Sequence, residues 1–113
     1  MKLTFDNIKN LFRFNKTKRA LAEIEFRVNG MDKYNLCWMG KMSDRDNPER
    51  DCYWYGLVPD GSEAYDYDNF EDFSSAPFFD GKSLKEICEK IELLSVEGCT
   101  PDEETLEALG FKL

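Results

Sequence analysis

The spacing of apolar residues changes period along the chain, and each change marks an element. Over residues 5–13, Phe5, Ile8, Leu11 and Phe12 recur at intervals of three, four and seven, which puts them on one side of a helix. Thr4 or Asp6 stands where such a helix needs a cap. From Ala20 the period becomes two: Ala22, Ile24, Phe26 and Val28 alternate with Glu23, Glu25 and Arg27, the pattern of a strand with one wet face. Asn29-Gly30 follows, a pair that tolerates positive φ and predicts a hairpin. The next strand runs over 34–42, with Tyr34, Leu36 and Trp38 sharing a face. Residues 43–50 are polar and contain Asn47-Pro48, a turn signal. A third strand over 51–58 carries Cys52, Trp54 and Val58 on one side and Tyr53, Tyr55 and Leu57 on the other. Apolar on both faces, it reads as an interior strand or one whose outer face a helix covers. Pro59-Asp60-Gly61 ends it in a turn.

The second half is less regular. Residues 63–67 alternate with tyrosines and form a candidate fourth strand, and Phe70, Phe73 and Ala76 fit a helical turn closed by Pro77. Ser83 and Glu86 have the spacing of a capping box, opening a helix over 84–91 with Leu84, Ile87, Cys88 and Ile91 turned inward. Residues 92–97 either prolong that helix or begin a fifth strand, and Gly98 closes the element. Thr100-Pro101-Asp102-Glu103 reads as a second capping box, with proline at the first helical position, opening a helix over 101–109 stopped by Gly110. Strands first and helices after indicate the α+β class. The expected architecture is an antiparallel sheet of three to five strands (20–28, 34–42 and 51–58, with 63–67 and 92–97 as candidates). Helices over 5–13, 84–91 and 101–109 pack mainly on one face. The chain's 113 residues suit a single domain able to bury a core without staples.

Charge divides that domain. Residues 1–19 hold six basic residues against one acid, a local +5; residues 20–113 hold nine basic and 22 acidic residues, or −13, and the sum is the formal −8. A basic N-terminal helix and linker therefore precede an acidic core. A basic amphipathic helix suits either an anionic membrane surface or docking onto its own acidic domain. The net −8 repels phosphates and disfavours nucleic acid as a partner. No run of about 18 apolar residues is present. Asp6, Asn7, Lys9 and Asn10 also break up any apolar leader, so neither a transmembrane segment nor a secretory signal is predicted, and a cytoplasmic location is.

The chain holds no histidine, which removes Ser-His and Cys-His nucleophile pairs, histidine-ligated metals and the usual general base near neutral pH. Cys37, Cys52, Cys88 and Cys99 form no Cys-x-x-Cys pair and sit within apolar patterns, so they read as reduced thiols rather than zinc ligands or disulfides. Asp66-x-Asp68 begins like a calcium loop, but Glu71 occupies the sixth position, where glycine is required, and Pro77 the twelfth. Asp44-x-Asp46-Asn47 is equally incomplete. Met39-Gly40-Lys41 and Asp80-Gly81-Lys82-Ser83 each offer a Gly-Lys pair, without the further glycine a phosphate loop requires. No catalytic, cofactor or metal motif is readable, and the expectation leans away from an enzyme.

The strongest candidate site is the acidic, aromatic run from Asp60 to Asp80. Tyrosines supply rigid contact area with a polar tip. Carboxylates around them accelerate encounter with a basic partner and exclude acidic competitors. Tyr65, Asp66, Tyr67, Asp68, Glu71 and Asp72 are the expected partner-binding residues, and a basic protein is the expected partner, as in an immunity- or antitoxin-like inhibitor. Two other classes compete: a carboxylate-based enzyme or small-ligand binder with Trp38, Trp54 or Tyr55 lining a pocket, and a peripheral membrane or scaffold protein acting through its basic N-terminal helix.

Overall fold

Antiparallel pairing of five strands organises the molecule. The structure, a computed structural model, describes residues 3–13, 22–43, 46, 51–56, 64–96 and 98–108. In chain order it contains α1 (Phe5–Arg13), β1 (Ala22–Val28), β2 (Cys37–Ser43), β3 (Asp51–Gly56), β4 (Ala64–Tyr67), α2 (Phe70–Ser75), α3 (Leu84–Ile87), β5 (Ile91–Val96) and α4 (Glu103–Ala108). The strands lie in the order β4-β3-β2-β1-β5, every neighbouring pair antiparallel. The α+β class and the antiparallel sheet hold, and both candidate strands belong to the sheet as its two outer members.

Register explains the core. Ile24 pairs with Met39 and Val96, Phe26 with Cys37 and Leu93, and Met39 with Tyr55. Because strand side chains alternate, these pairs share one face of the sheet. Ile24, Phe26, Cys37, Met39, Tyr55 and Val96 are fully buried there. Between Glu25 and Phe26 the register shifts by one residue, which keeps Leu93 and Val96 on the inner face although they are three apart. Helices close over this face. Leu3, Ile8, Leu11 and Phe12 of the α1 segment, Phe73 of α2, Leu84 and Ile87 of α3 and Leu106 of α4 all join the same cluster.

Tyr55 is the hub. Its ring stacks on Phe73 at 4.1 Å and on Phe78 at 4.4 Å, and Phe79 meets it edge-on at 5.4 Å. Its hydroxyl donates to the Phe73 carbonyl at 2.8 Å, giving the last turn of α2 a buried partner. The opposite face of the sheet carries Trp38 and Trp54. Register sets Trp38 beside Gly56 and Trp54 beside Gly40, and both glycines are buried.

The second strand starts later than its pattern suggests. Residues 32–34 form a 3₁₀ turn, so Tyr34 leaves the strand period and enters the core, whereas Trp38 lies on the opposite face. The core positions of β2 are Cys37, Met39 and Lys41. The β1–β2 link is correspondingly longer than a two-residue hairpin. Met31 N–H donates to the Val28 carbonyl at 3.2 Å, with Gly30 at φ +83°, the third turn position that favours glycine.

The helix expected over 84–91 is shorter. Ser83 and Glu86 do form the reciprocal box, but α3 gives way to a 3₁₀ turn at Cys88–Lys90, and Ile91 opens β5. Glu92 and Leu93 follow, paired with Arg27 and Phe26 of β1. The final helix starts at Glu103 rather than 101. Its cap is Asp102, whose carboxylate accepts from Thr105 N–H at 2.7 Å, so the Thr100 box gives way to a single cap two residues later. At the N-terminus, Thr4 Oγ1 accepts from Asn7 N–H at 3.2 Å, and Asn7 Oδ1 accepts from Thr4 N–H at 2.9 Å. The linker over 15–19, most of the polar turn at 43–50, Leu57, Val58, the turn at 59–61 and Gly110 lie outside the described residues.

Candidate protein-binding surface

The six residues singled out from the sequence occupy one edge of the sheet and the helix that follows it. Among the described residues β4 is the outer strand on that side, paired with β3 alone through Tyr53–Tyr67, Trp54–Asp66 and Tyr55–Tyr65. Alternation then splits the set. Tyr65 and Tyr67 fall on the inner face with Tyr55, while Asp66 falls on the outer face beside Trp54. The surface therefore wraps around an edge rather than forming one flat patch.

The two tyrosines differ in role. Tyr67 is half-buried, its ring edge-on to Tyr55 at 5.8 Å and to Phe73 at 6.1 Å. Burial, with a smaller contribution from Tyr65, pushes its phenol above the ordinary value, so it stays neutral and able to donate. Tyr65 is 43% exposed and leans edge-on against Phe78 at 5.2 Å. It is one of two large apolar side chains left exposed in the described residues, the other being Met42.

A groove of about 350 Å³ runs beside these rings, lined by Lys33, Tyr34, Tyr65, Tyr67, Pro77 and Phe78. Its floor is fixed by Tyr34, whose hydroxyl accepts from Asp80 N–H at 3.1 Å and has the Phe78 carbonyl (3.1 Å) and the Asp80 carboxylate (3.2 Å) within reach as acceptors. These bonds hold Asp80 at φ +54°, the left-handed backbone that an Asp-Gly turn needs with Gly81 at +86°. Phe79 and Lys82 exchange backbone hydrogen bonds across that turn. Lys33 sits 3.5 Å from Asp80 and 5.5 Å over the Tyr34 ring, which places one cation at the groove's far rim.

The carboxylates continue from β4 into α2. Asp66, Asp68, Glu71 and Asp72 are all exposed. Asp72 also has a structural duty: Asn69, the cap of α2, accepts from Asp72 N–H at 2.7 Å and donates to its carboxylate at 3.0 Å. Asp68 and Glu71 flank this cap. The arrangement offers negative charge beside an aromatic groove and a sheet edge, a combination that suits a cationic segment whose stem packs on tyrosine.

Among the described residues, Trp38 and Trp54 share no face of the sheet with Tyr55, so the three do not meet at one site. Tyr55 is fully buried in the core, and the two tryptophans lie across the sheet from it. Among the described residues no group of three or more cysteine, aspartate or glutamate side chains is placed to hold a metal ion. Cys37 and Cys88 are buried and Cys52 and Cys99 half-buried. Burial pushes the Cys37 thiol up to about 11, which keeps it protonated and unreactive near neutral pH. No described helix is long and apolar enough to cross a membrane.

Read from the sequence, Asp80 counts among the acids of the run, but Phe78 and Tyr34 are given no part in the site. Phe78 and the Tyr34–Asp80 lock are long-range pairings, more than 40 residues apart. The one local signal for them was the Asp80-Gly81 pair, which marks a tight reversal. Compared with models of protein families, with curated proteins and with solved structures, the chain matches none.

Proposed function

We propose that the protein acts by binding a basic protein along the β4 edge, the neighbouring tyrosine groove and the first turn of α2. The observation that carries this reading is the exposure of Tyr65 on an outer strand whose flanks bear Asp66, Asp68, Glu71 and Asp72, all exposed. An exposed aromatic ring provides the apolar anchor, and the carboxylates steer a cationic partner and reject an acidic one. An extended basic segment adds to β4 through backbone hydrogen bonds, and a lysine or arginine stem enters the groove over Tyr65 and Tyr67. An inhibitor that masks the positive working surface of a toxin or nuclease is the most concrete version of such a partner. The basic N-terminal helix supports this reading rather than a membrane role, because its apolar residues Ile8, Leu11 and Phe12 are covered by the domain.

The test compares two baits. The unaltered chain and the variant Asp66→Asn, Asp68→Asn, Glu71→Gln are used to capture protein from the native cell lysate at low and then moderate salt. All three changed side chains are exposed, so the fold is expected to survive. The expected result is a stoichiometric basic protein held by the unaltered chain, released as salt rises, and bound at least about tenfold more weakly by the variant. Equal capture by both baits overturns the proposal.

A further inference from the structure

A lysine occupies a core position of β2, and the cavity beside it carries an inference that does not rest on the proposed protein binding. Lys41 pairs with Tyr53 on β3 and is only 7% exposed. Its ammonium donates to the Phe12 carbonyl at the end of α1 at 2.6 Å. The nearest carboxylate, Asp51, stands 3.8 Å away, outside hydrogen-bond distance, and is itself 36% exposed. A buried ammonium has three donors and calls for compensating negative charge. Among the described residues it has one hydrogen-bond acceptor, a neutral one, and a partly solvated counter-ion.

Lys41 lines a cavity of about 390 Å³ together with Lys9, Phe12, Asp51, Tyr53 and Phe70. That volume lies within the range of small-molecule sites, roughly 300–1,000 Å³. Three of its lining residues are aromatic. Phe12, Tyr53 and Phe70 stand 5.6–5.7 Å apart, each ring tilted or edge-on to the next, and together they form one packed apolar wall. Among the described lining residues, two ammonium groups stand against one carboxylate, a local surplus of one positive charge in a chain whose net charge is −8.

We infer that this cavity binds a small aromatic carboxylate, the ring lying against the wall of Phe12, Tyr53 and Phe70 and the carboxylate placed against Lys41 and Lys9. A single negative charge neutralises the lining, whereas a phosphate dianion overshoots it. A cation of the same shape meets a buried ammonium and is rejected. The cavity is on the α1 side of the molecule, and among the described residues its lining shares none with the tyrosine groove.

Amide chemical shifts of the full chain, followed by NMR during titration with phenylacetate and with indole-3-acetate, test the assignment; benzylamine serves as the cationic control. The expected result is saturable shifts centred on Lys9, Phe12, Lys41, Tyr53 and Phe70, with a dissociation constant on the order of 1 mM or tighter. Benzylamine is expected to leave those amides unmoved. Lys41→Met, which keeps the apolar stem, is expected to weaken binding by about tenfold or more. If that variant fails to fold, Lys9→Gln on the cavity wall is expected to weaken it by about threefold in a folded chain. Absence of saturable shifts from both carboxylates at concentrations up to about 10 mM overturns the inference. So does binding of benzylamine with equal affinity, or carboxylate binding that neither lysine variant weakens.

Discussion

Tyr55 shows how a single side chain ties two layers together. Its ring fills the centre of the aromatic cluster between β3 and α2, and its one polar atom is satisfied by the Phe73 carbonyl. Burial, and to a smaller extent Tyr67, push its phenol far above the ordinary value, so the hydroxyl stays protonated and able to donate near neutral pH. The two contributions separate by substitution. Tyr55→Phe keeps the stack and removes the donor, and is expected to cost about 1 kcal/mol. Tyr55→Ala also empties the centre of the cluster and is expected to cost about 3–5 kcal/mol. Urea denaturation of both variants checks this, and equal losses would mean that the ring packing contributes little. The sequence placed Tyr55 on the side of β3 shared with Tyr53, and that alternation is observed. It did not mark Lys41 as a core residue, because a charged side chain within a strand reads as a wet-face position.

At the level of elements, local grammar was legible wherever its partners are close in sequence. The Ser83–Glu86 box, the amphipathic stripe of α1 and the alternation of β1 are all local and all observed. Boundaries moved where a tertiary contact outweighed the period. Tyr34 is drawn out of β2 by its bonds to the 78–80 segment, and Ile91 is taken from the helical stripe by pairing with Val28.

The box has a pH consequence. Ser83, through its backbone N–H and its hydroxyl, holds the Glu86 carboxyl below its ordinary value near 4.5. Asp102 is lowered in the same way by Thr105. A carboxylate favoured in the folded state contributes its stabilisation fully above the unfolded value and loses it as pH falls through the lower folded value. The urea midpoint is therefore expected to drop as pH falls below about 4.5. In Glu86→Gln that drop should be shallower, and an unchanged slope would remove Glu86 from the account. Ser83→Ala is expected to cost about 1 kcal/mol at neutral pH. For α1, Leu11→Ala is expected to cost about 2–5 kcal/mol in thermal or urea unfolding, as for a core leucine. A loss under about 1 kcal/mol would show that α1 is an appendage to the domain.

For the whole molecule, the charge division seen in the sequence acquires a geometry. Lys9 of the basic segment lines the α1 cavity with Lys41, and the carboxylates Asp66, Asp68, Glu71 and Asp72 follow one another from β4 into α2. The acidic run was legible because its charges and tyrosines are contiguous. The groove was not, since Lys33 and Tyr34 reach it from a distant part of the chain, and only the fold brings them beside Tyr65 and Phe78. The most direct measurement is amide hydrogen exchange of this chain, free and in complex with the basic protein it captures, at low salt. The expected result is protection concentrated in residues 64–72 and fading when salt reaches about 0.3 M. Protection centred on β5 or α1 with 64–72 unchanged would contradict binding at the β4 edge.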